Sequence, residues 1–438
     1  MNQELYLGVA RKNATPKVGG HLMGYALDVF SESVNDDLTV TAFYFRQGKT
    51  HALMISATVC IISIGITERI LSEIEKQFGI PHDCCILHAT HTHSGPNLGE
   101  QVGWGDYDRE YLDNIFLPAI MAAVGEAIEV CEPVTMAVAV GESLIGCNRR
   151  ELTVENKIIL GQNPWGPFDP KMTVISFKNA SGKPTATIVH YGAHQTASGR
   201  NHEITRDWSG PMIDTLDNTF GGISAFFNGP EGDTGPRMPN GRTTGGFVNG
   251  EYVSHVRYAM QIGSVAAQDA TRIYKQLGGY HSADLSVSKT ELKIPLSPRL
   301  PLEVAKERYE EFKRETTNLK GAKANYYRNI IDSYENGYEE KPYRELNQTV
   351  IRVGEVAFVT FTYELFSEIG MRIARASSIP HTLSLSNANG SSGYFPTESE
   401  LCRGGYEVEM FRTSFIQPYV DNADFHIVTQ TLEHLKKV

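Results

Sequence analysis

The chain has 438 residues, 41% of them hydrophobic, with 40 Lys and Arg against 51 Asp and Glu for a net charge of -11. That length buries a large core, and the acidic balance without a long basic run excludes the footprint of a nucleic-acid binder. The opening MNQELYLGVARKN lacks the basic-then-apolar secretory pattern, no apolar run approaches the ~20 residues that span a bilayer, and six cysteines without a CxxC pair suit reduced thiols in a cytoplasm.

In chain order, residues 38–63 (LTVTAFYFRQGKTHALMISATVCIIS) predict a β-hairpin turned at Gln47 to Lys49. Ile66, Ile70, Ile74 and Phe78 then recur on one helical face before Gly79 and Pro81 end the helix. Residues 84–93, CCILHATHTH, predict a buried strand on which His91 and His93 share a face with Leu87 and Ala89. A long helix follows over 107–133, then a strand or bent hairpin over 134–151. Residues 172–194 predict two strands around an Asn179 to Gly182 turn, and a helix (210–222) and a strand (223–229) lead into a glycine-rich loop.

Leu302, Ala305, Tyr309 and Phe312 mark a helical hairpin running to about Tyr338, with Gly321 near its bend, packed outside or forming a lid. A hairpin around Gly354, a helix over 365–377, a strand over 382–387 and a loop over 388–407 complete the pattern. The fold class is therefore α/β: mixed β-sheets flanked by helices in one large catalytic domain over 1–438, with a helical hairpin insertion at 301–340. No repeat, low-complexity tract or interdomain linker interrupts it.

Chemistry concentrates where strands end. His91 and His93 are followed at once by Ser94, Gly95 and Pro96; His194 closes TATIVHYGAH, Glu364 closes VAFVTFTYE, and Asp233 follows AFFNGPEG. Open α/β sheets build sites at strand ends, and two imidazoles with a carboxylate suit zinc with one open position. Each residue also has a bland reading, as a core histidine or a helix N-cap, and Asp233 and Glu364 are the clearest candidates for caps.

The ordered segments GGHLMGYA, THTHSGP, CNRR, AHQTASG, GPEGDTGP, YELFSEIGMR and GYFPTESELCRGGYE resemble the catalytic domain of the neutral, non-lysosomal ceramidases and their bacterial relatives, from about residue 6 to about residue 410. The resemblance implies one zinc ion per chain held by His91, His194, Glu364 and Tyr394. It implies that His93, Arg149 and Tyr406 bind or polarise a scissile carbonyl, and that Asp233 takes the proton from the attacking water. Gly24, in GGHLMGYA, and Arg237 are expected to contact substrate, with the loop Gly229 to Gly250 opposite the metal.

Departures narrow the inheritance. Gly235 stands where ceramidases have a serine before the proline, which removes a serine-dependent step. The chain is also expected to lack the C-terminal β domain and secretory leader of that family, so a small soluble substrate is expected in preference to ceramide. The expected activity is zinc-dependent hydrolysis of an amide, or less readily an ester, in the cytoplasm, with no nucleic-acid partner and no membrane span; self-association is left open. Two other readings remain: a two-metal amidohydrolase barrel, and a metal-containing binding protein without catalysis. No GxSxG elbow supports a serine hydrolase.

Overall fold

The computed structural model describes residues 4–100, 104–238, 246–248, 251–253, 256–314 and 318–438. Two sheets stack face to face between two layers of helices, the four-layer arrangement that two-sided burial of the strands requires. The larger sheet contains β1 (Tyr6–Asn13), β2 (Thr39–Gln47), β3 (Thr50–Ala57), β4 (Cys85–Ala89), β5 (Glu132–Glu142), β6 (Lys171–Asn179), β7 (Pro184–Tyr191) and β8 (Ile223–Asn228). Its spatial order is β8-β7-β6-β5-β1-β2-β3-β4. Only the two outer pairs, β3 with β4 and β7 with β8, are parallel.

The strands read as continuous apolar runs because alternate residues serve different cores. On β2, Val40, Ala42 and Tyr44 face the core under helices α1 (Ile64–Phe78) and α2 (Leu117–Glu129). Phe43 and Phe45 face the second sheet. At the other end of the sheet, Val174, Val189 and Phe226 meet α3 (Ser209–Phe220) and α4 (Val256–Tyr274), while Ile175, Ile188 and Phe227 turn inward.

The second sheet is β9-β10-β11-β12: Leu285–Pro295, Tyr343–Val353, Val356–Thr360 and His381–Leu385. Ile351, Phe358 and Leu385 close the inter-sheet core, and Val350, Ala357 and Val359 face α7 (Ser367–Ala376) and α9 (Ala423–Leu435). The expected helical hairpin is present as α5 (Leu302–Phe312) and α6 (Asn318–Glu335). The hairpins at Gly48 and Gly354 are present too, each glycine holding a positive φ that the turn needs.

The fold also departs from the sequence reading. The polar-interrupted strand β9, the helix α4 and the terminal helices α8 (Tyr406–Thr413) and α9 are elements that the pattern of apolar residues did not announce. Two open sheets replace any barrel, which removes the amidohydrolase-barrel alternative. Among the described residues, one helix, Arg109–Glu129, is long and apolar enough by composition to cross a membrane. Its Phe116, Ile120, Ala123 and Val124 are buried against the larger sheet instead. That helix contains a π turn, Leu112–Phe116, directly before Pro118, whose missing N–H a regular helix cannot use.

The same unit occurs three times, a β-hairpin strand running through a helix to a parallel neighbour: β3-α1-β4, β7-α3-β8 and β11-α7-β12. Chemistry gathers just past the ends of these strands. His91 lies two residues beyond β4, His194 three beyond β7, Glu231 three beyond β8, Glu364 four beyond β11, and Asn387 two beyond β12.

Candidate metal centre

The strand carrying the HxH pair stops at Ala89, earlier than the sequence suggests. His91 then adopts a left-handed backbone, φ 74°, which costs an L-residue about 1–2 kcal/mol. Backbone bonds from Thr90 to Ala57 and from His91 to Val59 hold the chain there. The two imidazoles therefore do not share a pleated face with Leu87 and Ala89. They meet because the strand breaks, with their Nε2 atoms 3.2 Å apart.

His91, His194 and Glu364 present donor atoms within 4.8 Å of one another, all buried. His91 Nδ1 donates to the Cys60 carbonyl at 2.8 Å, and His194 Nδ1 donates to the Glu231 carbonyl at 2.8 Å. Each carbonyl fixes its imidazole as the Nδ1–H tautomer and aims the Nε2 lone pair inward. Both lone pairs point at one carboxylate oxygen, Glu364 Oε2, at 3.4 and 3.1 Å. His194 Nε2 and Glu364 Oε2 are buried without a hydrogen-bond partner. Acceptors facing one another in a dry site are costly unless a cation lies between them.

The electrostatics tell the same story. Burial opposes a proton on His91, but the Glu364 carboxylate and Cys60 hold its pKa well above the usual imidazole value. Burial and nearby Arg149 push His194 down to about 3. The burial that would raise Glu364 is outweighed by His91 and His194, which hold its carboxyl well below the usual range.

Tyr394 lies beside the trio. Glu364 and Tyr394 are paired residues in a short parallel ladder, Glu364–Leu365 with Tyr394–Phe395. The Tyr394 ring stacks on His194 at 6.4 Å, and burial beside Glu364 holds its phenol well above its usual pKa. Arg149 donates to the Tyr394 hydroxyl at 3.1 Å and pairs with Glu407 at 2.8 Å; Arg150 pairs with Glu407 at 2.7 Å and with Glu400 at 2.8 Å. Arg149 thus touches the centre through Tyr394, and it does not line the open space above it. Glu407 and Arg150 are parts of the site that the sequence reading left unassigned; the only signal for Glu407 was its place in the Tyr406-Glu407 pair.

A small cleft of about 30 Å³ opens over the donors, lined by Met23, Gly24, Cys60, His93, Trp104 and Tyr406 among others. His93 and Tyr406 occupy it as expected. Burial and the neighbouring His91 hold His93 well below the usual imidazole pKa, and His93 Nδ1 is buried without a partner. Gly24, φ 124°, passes so close that a Cβ there would collide with the His93 ring.

Two expected residues point elsewhere. Asp233 Oδ1 accepts the Ser367 amide at 2.7 Å, and Oδ2 accepts from Asn148 Nδ2 and Ser367 Oγ, each at 3.2 Å. Asp233 therefore caps the first residue of α7, and neither oxygen belongs to the cleft, so the base assignment is corrected. Arg237 donates to the Leu144 and Gly146 carbonyls at 3.0 and 3.3 Å and does not line the cleft. Of the loop Gly229 to Gly250, residues 239–245 and 249–250 lie outside the described residues. Its first part supplies Glu231, whose Oε1 accepts from Asn387 at 2.9 Å and whose carboxyl is pushed up to about 8 by burial. Gly235 is buried in a short ladder opposite Cys147.

Imidazoles and a carboxylate converge past parallel strand ends, in a helix-sheet-sheet-helix frame, as a cluster that could hold a metal ion. No established family model matches the sequence. Neutral ceramidase A of Dictyostelium discoideum is 27% identical over 248 residues, which are 50% of this chain and 34% of that protein, so the match spans about a third of its length. A neutral ceramidase from Pseudomonas aeruginosa has a similar structure, with TM-score 0.75 and 18% identity over 99% of this chain and 74% of that one. A ceramidase complexed with C2 gives TM-score 0.73 and 17% identity over 99% and 75%. The chain is thus similar to neutral ceramidases, in fold over nearly all its length and in sequence over half.

Proposed function

We propose that the chain hydrolyses the amide bond of a small soluble molecule with the help of one zinc ion. The observation that carries this reading is the convergence of two backbone-anchored imidazole lone pairs on a partnerless Glu364 oxygen. A zinc ion held by His91, His194, Glu364 and Tyr394 would supply a Lewis acid and lower the pKa of water towards about 7.

The chain's own groups do the rest. His93, kept neutral by burial, lines the cleft, where its N–H can donate to the scissile carbonyl oxygen. Tyr406, a protonated phenol pushed up by burial, donates to the carbonyl oxygen as it gains charge. Arg149 holds the Tyr394 hydroxyl, and Glu407 holds Arg149. All six cysteines are free, which supports the reducing environment of a cytoplasm.

Purified protein should contain about one zinc per chain and cleave members of a panel of N-acyl amides. His194→Ala and Glu364→Gln should lose both metal and turnover. Protein without transition metal after growth in zinc, or turnover unaffected by either change, refutes the reading; metal without turnover on any amide or ester leaves the binding-protein alternative.

A further inference from the structure

Beside the cleft lies a much larger cavity of about 500 Å³. The two share Gly393 and Met410 in their walls, so a molecule seated over His91 and Glu364 has its remainder in the larger space. The far wall is formed by the helical hairpin and what packs beneath it, including Tyr326, Tyr338, Arg344 and Phe415.

Arg344 is unlike the other enclosed arginines. Arg149, Arg150, Arg206 and Arg372 each face a carboxylate at 2.6–2.8 Å. Among the described residues, the Arg344 side chain forms no ion pair or hydrogen bond. Its Nε is buried without a partner, and its guanidinium carbon sits 3.2 Å from the centre of the Phe415 ring. Stacking occupies the face of a guanidinium and leaves its N–H edge to bind something else. One acid, Glu100, also lines this cavity, with its carboxylate next to Gly65 of α1.

We propose that the cavity receives the part of the substrate remote from the scissile amide, and that Arg344 selects substrates with an anionic group, such as a carboxylate, at that end. The inference rests on the amidase reading for the word substrate, but the anion site itself stands independently of metal and turnover. An aliphatic lipid tail would leave the Arg344 edge without a partner, whereas an aryl or short alkyl carboxylate satisfies its charge and packs against the aromatic wall.

The test is titration calorimetry with 4-phenylbutyrate and its uncharged primary amide. It is done in His194→Ala protein and in wild type with excess chelator, so that metal ligation cannot hold the carboxylate. The acid should bind about 10-fold or more tightly than the amide, and Arg344→Met, which keeps the stem on Phe415, should abolish that preference. Equal affinities, a preference that survives Arg344→Met, or no binding of either probe up to about 10 mM overturns the proposal. A preference that appears in protein unable to cleave any amide upholds the anion site and counts only against the amidase reading.

Discussion

Replacing Asp233 by Asn separates a helix cap from a catalytic base. The variant keeps the bond from the Ser367 amide to Oδ1, 2.7 Å in the wild type, and turns an NH2 group towards Asn148 Nδ2, which donates to Oδ2 at 3.2 Å. Above about pH 7, losing the charge at the α7 N-terminus costs about 0.3–1 kcal/mol, and at any pH opposing two donors costs roughly 1–3 kcal/mol. Against this, burial pushes the native carboxyl from 3.8 up to about 7. A carboxyl raised on folding binds more protons in the folded than in the unfolded state between those values. Its contribution is therefore complete below about pH 4 and is lost as pH rises through about 7, by up to about 4 kcal/mol. The Asn variant lacks that slope.

Urea midpoints of the two proteins measured side by side from pH 4 to 8 cancel the other titrating groups. The variant should be the less stable by about 1–3 kcal/mol at pH 4, with the gap closing or reversing by pH 8. Turnover should stay within about threefold, because neither Asp233 oxygen reaches the cleft. A loss of about 100-fold or more in turnover with zinc retained would restore the base role, and parallel stability curves would refute the electrostatic argument.

Zinc at about 100 times its dissociation constant should stabilise the folded protein by about 2.7 kcal/mol; for 438 residues this is a rise of about 3 °C in melting temperature, absent in Glu364→Gln. Glu407→Gln leaves the buried Arg149 and Arg150 without their shared carboxylate and should cost about 3–5 kcal/mol in chemical denaturation; a cost under about 1 kcal/mol would show that Glu400 alone balances them. Gly24→Ala should displace His93 and cut turnover by about 10-fold or more with zinc content unchanged; unaltered turnover would remove His93 from the reaction.

The ligand residues were legible because each sits just past an apolar run, and such runs end at one edge of an α/β sheet. Asp233 misleads for that same reason. It follows β8 just as His194 follows β7, and its true partner, the Ser367 amide, lies 134 residues away and carries no mark in the sequence. The alternation rule paired His91 with His93 correctly as neighbours but for the wrong geometry, since a positive φ at a histidine leaves no trace in the residue order. The strand β9, LSVSKTELKIP, went unread because it lies half exposed and mixes charges with apolar residues, a pattern that tertiary pairing with β10 overrides. Arg237 was chosen for its glycine-rich surroundings, yet the Leu144 and Gly146 carbonyls claim it.

The centre is stitched from strand ends that belong to different sheets. His91 and His194 follow strands of the larger sheet, and Glu364 follows β11 of the other, 273 residues along the chain from His91. No fragment containing one sheet can assemble the donor trio, and the contacts that create it are among the slowest for a chain to find. Capture of the proposed ion would therefore be a late event in the life of each molecule. A newly made chain must dock its two sheets before it can compete for metal, and until then its histidines are ordinary weak ligands. The proposed ion would be a cross-brace between the sheets, so its depletion should first loosen the seam between them and leave the helices outside each sheet in place.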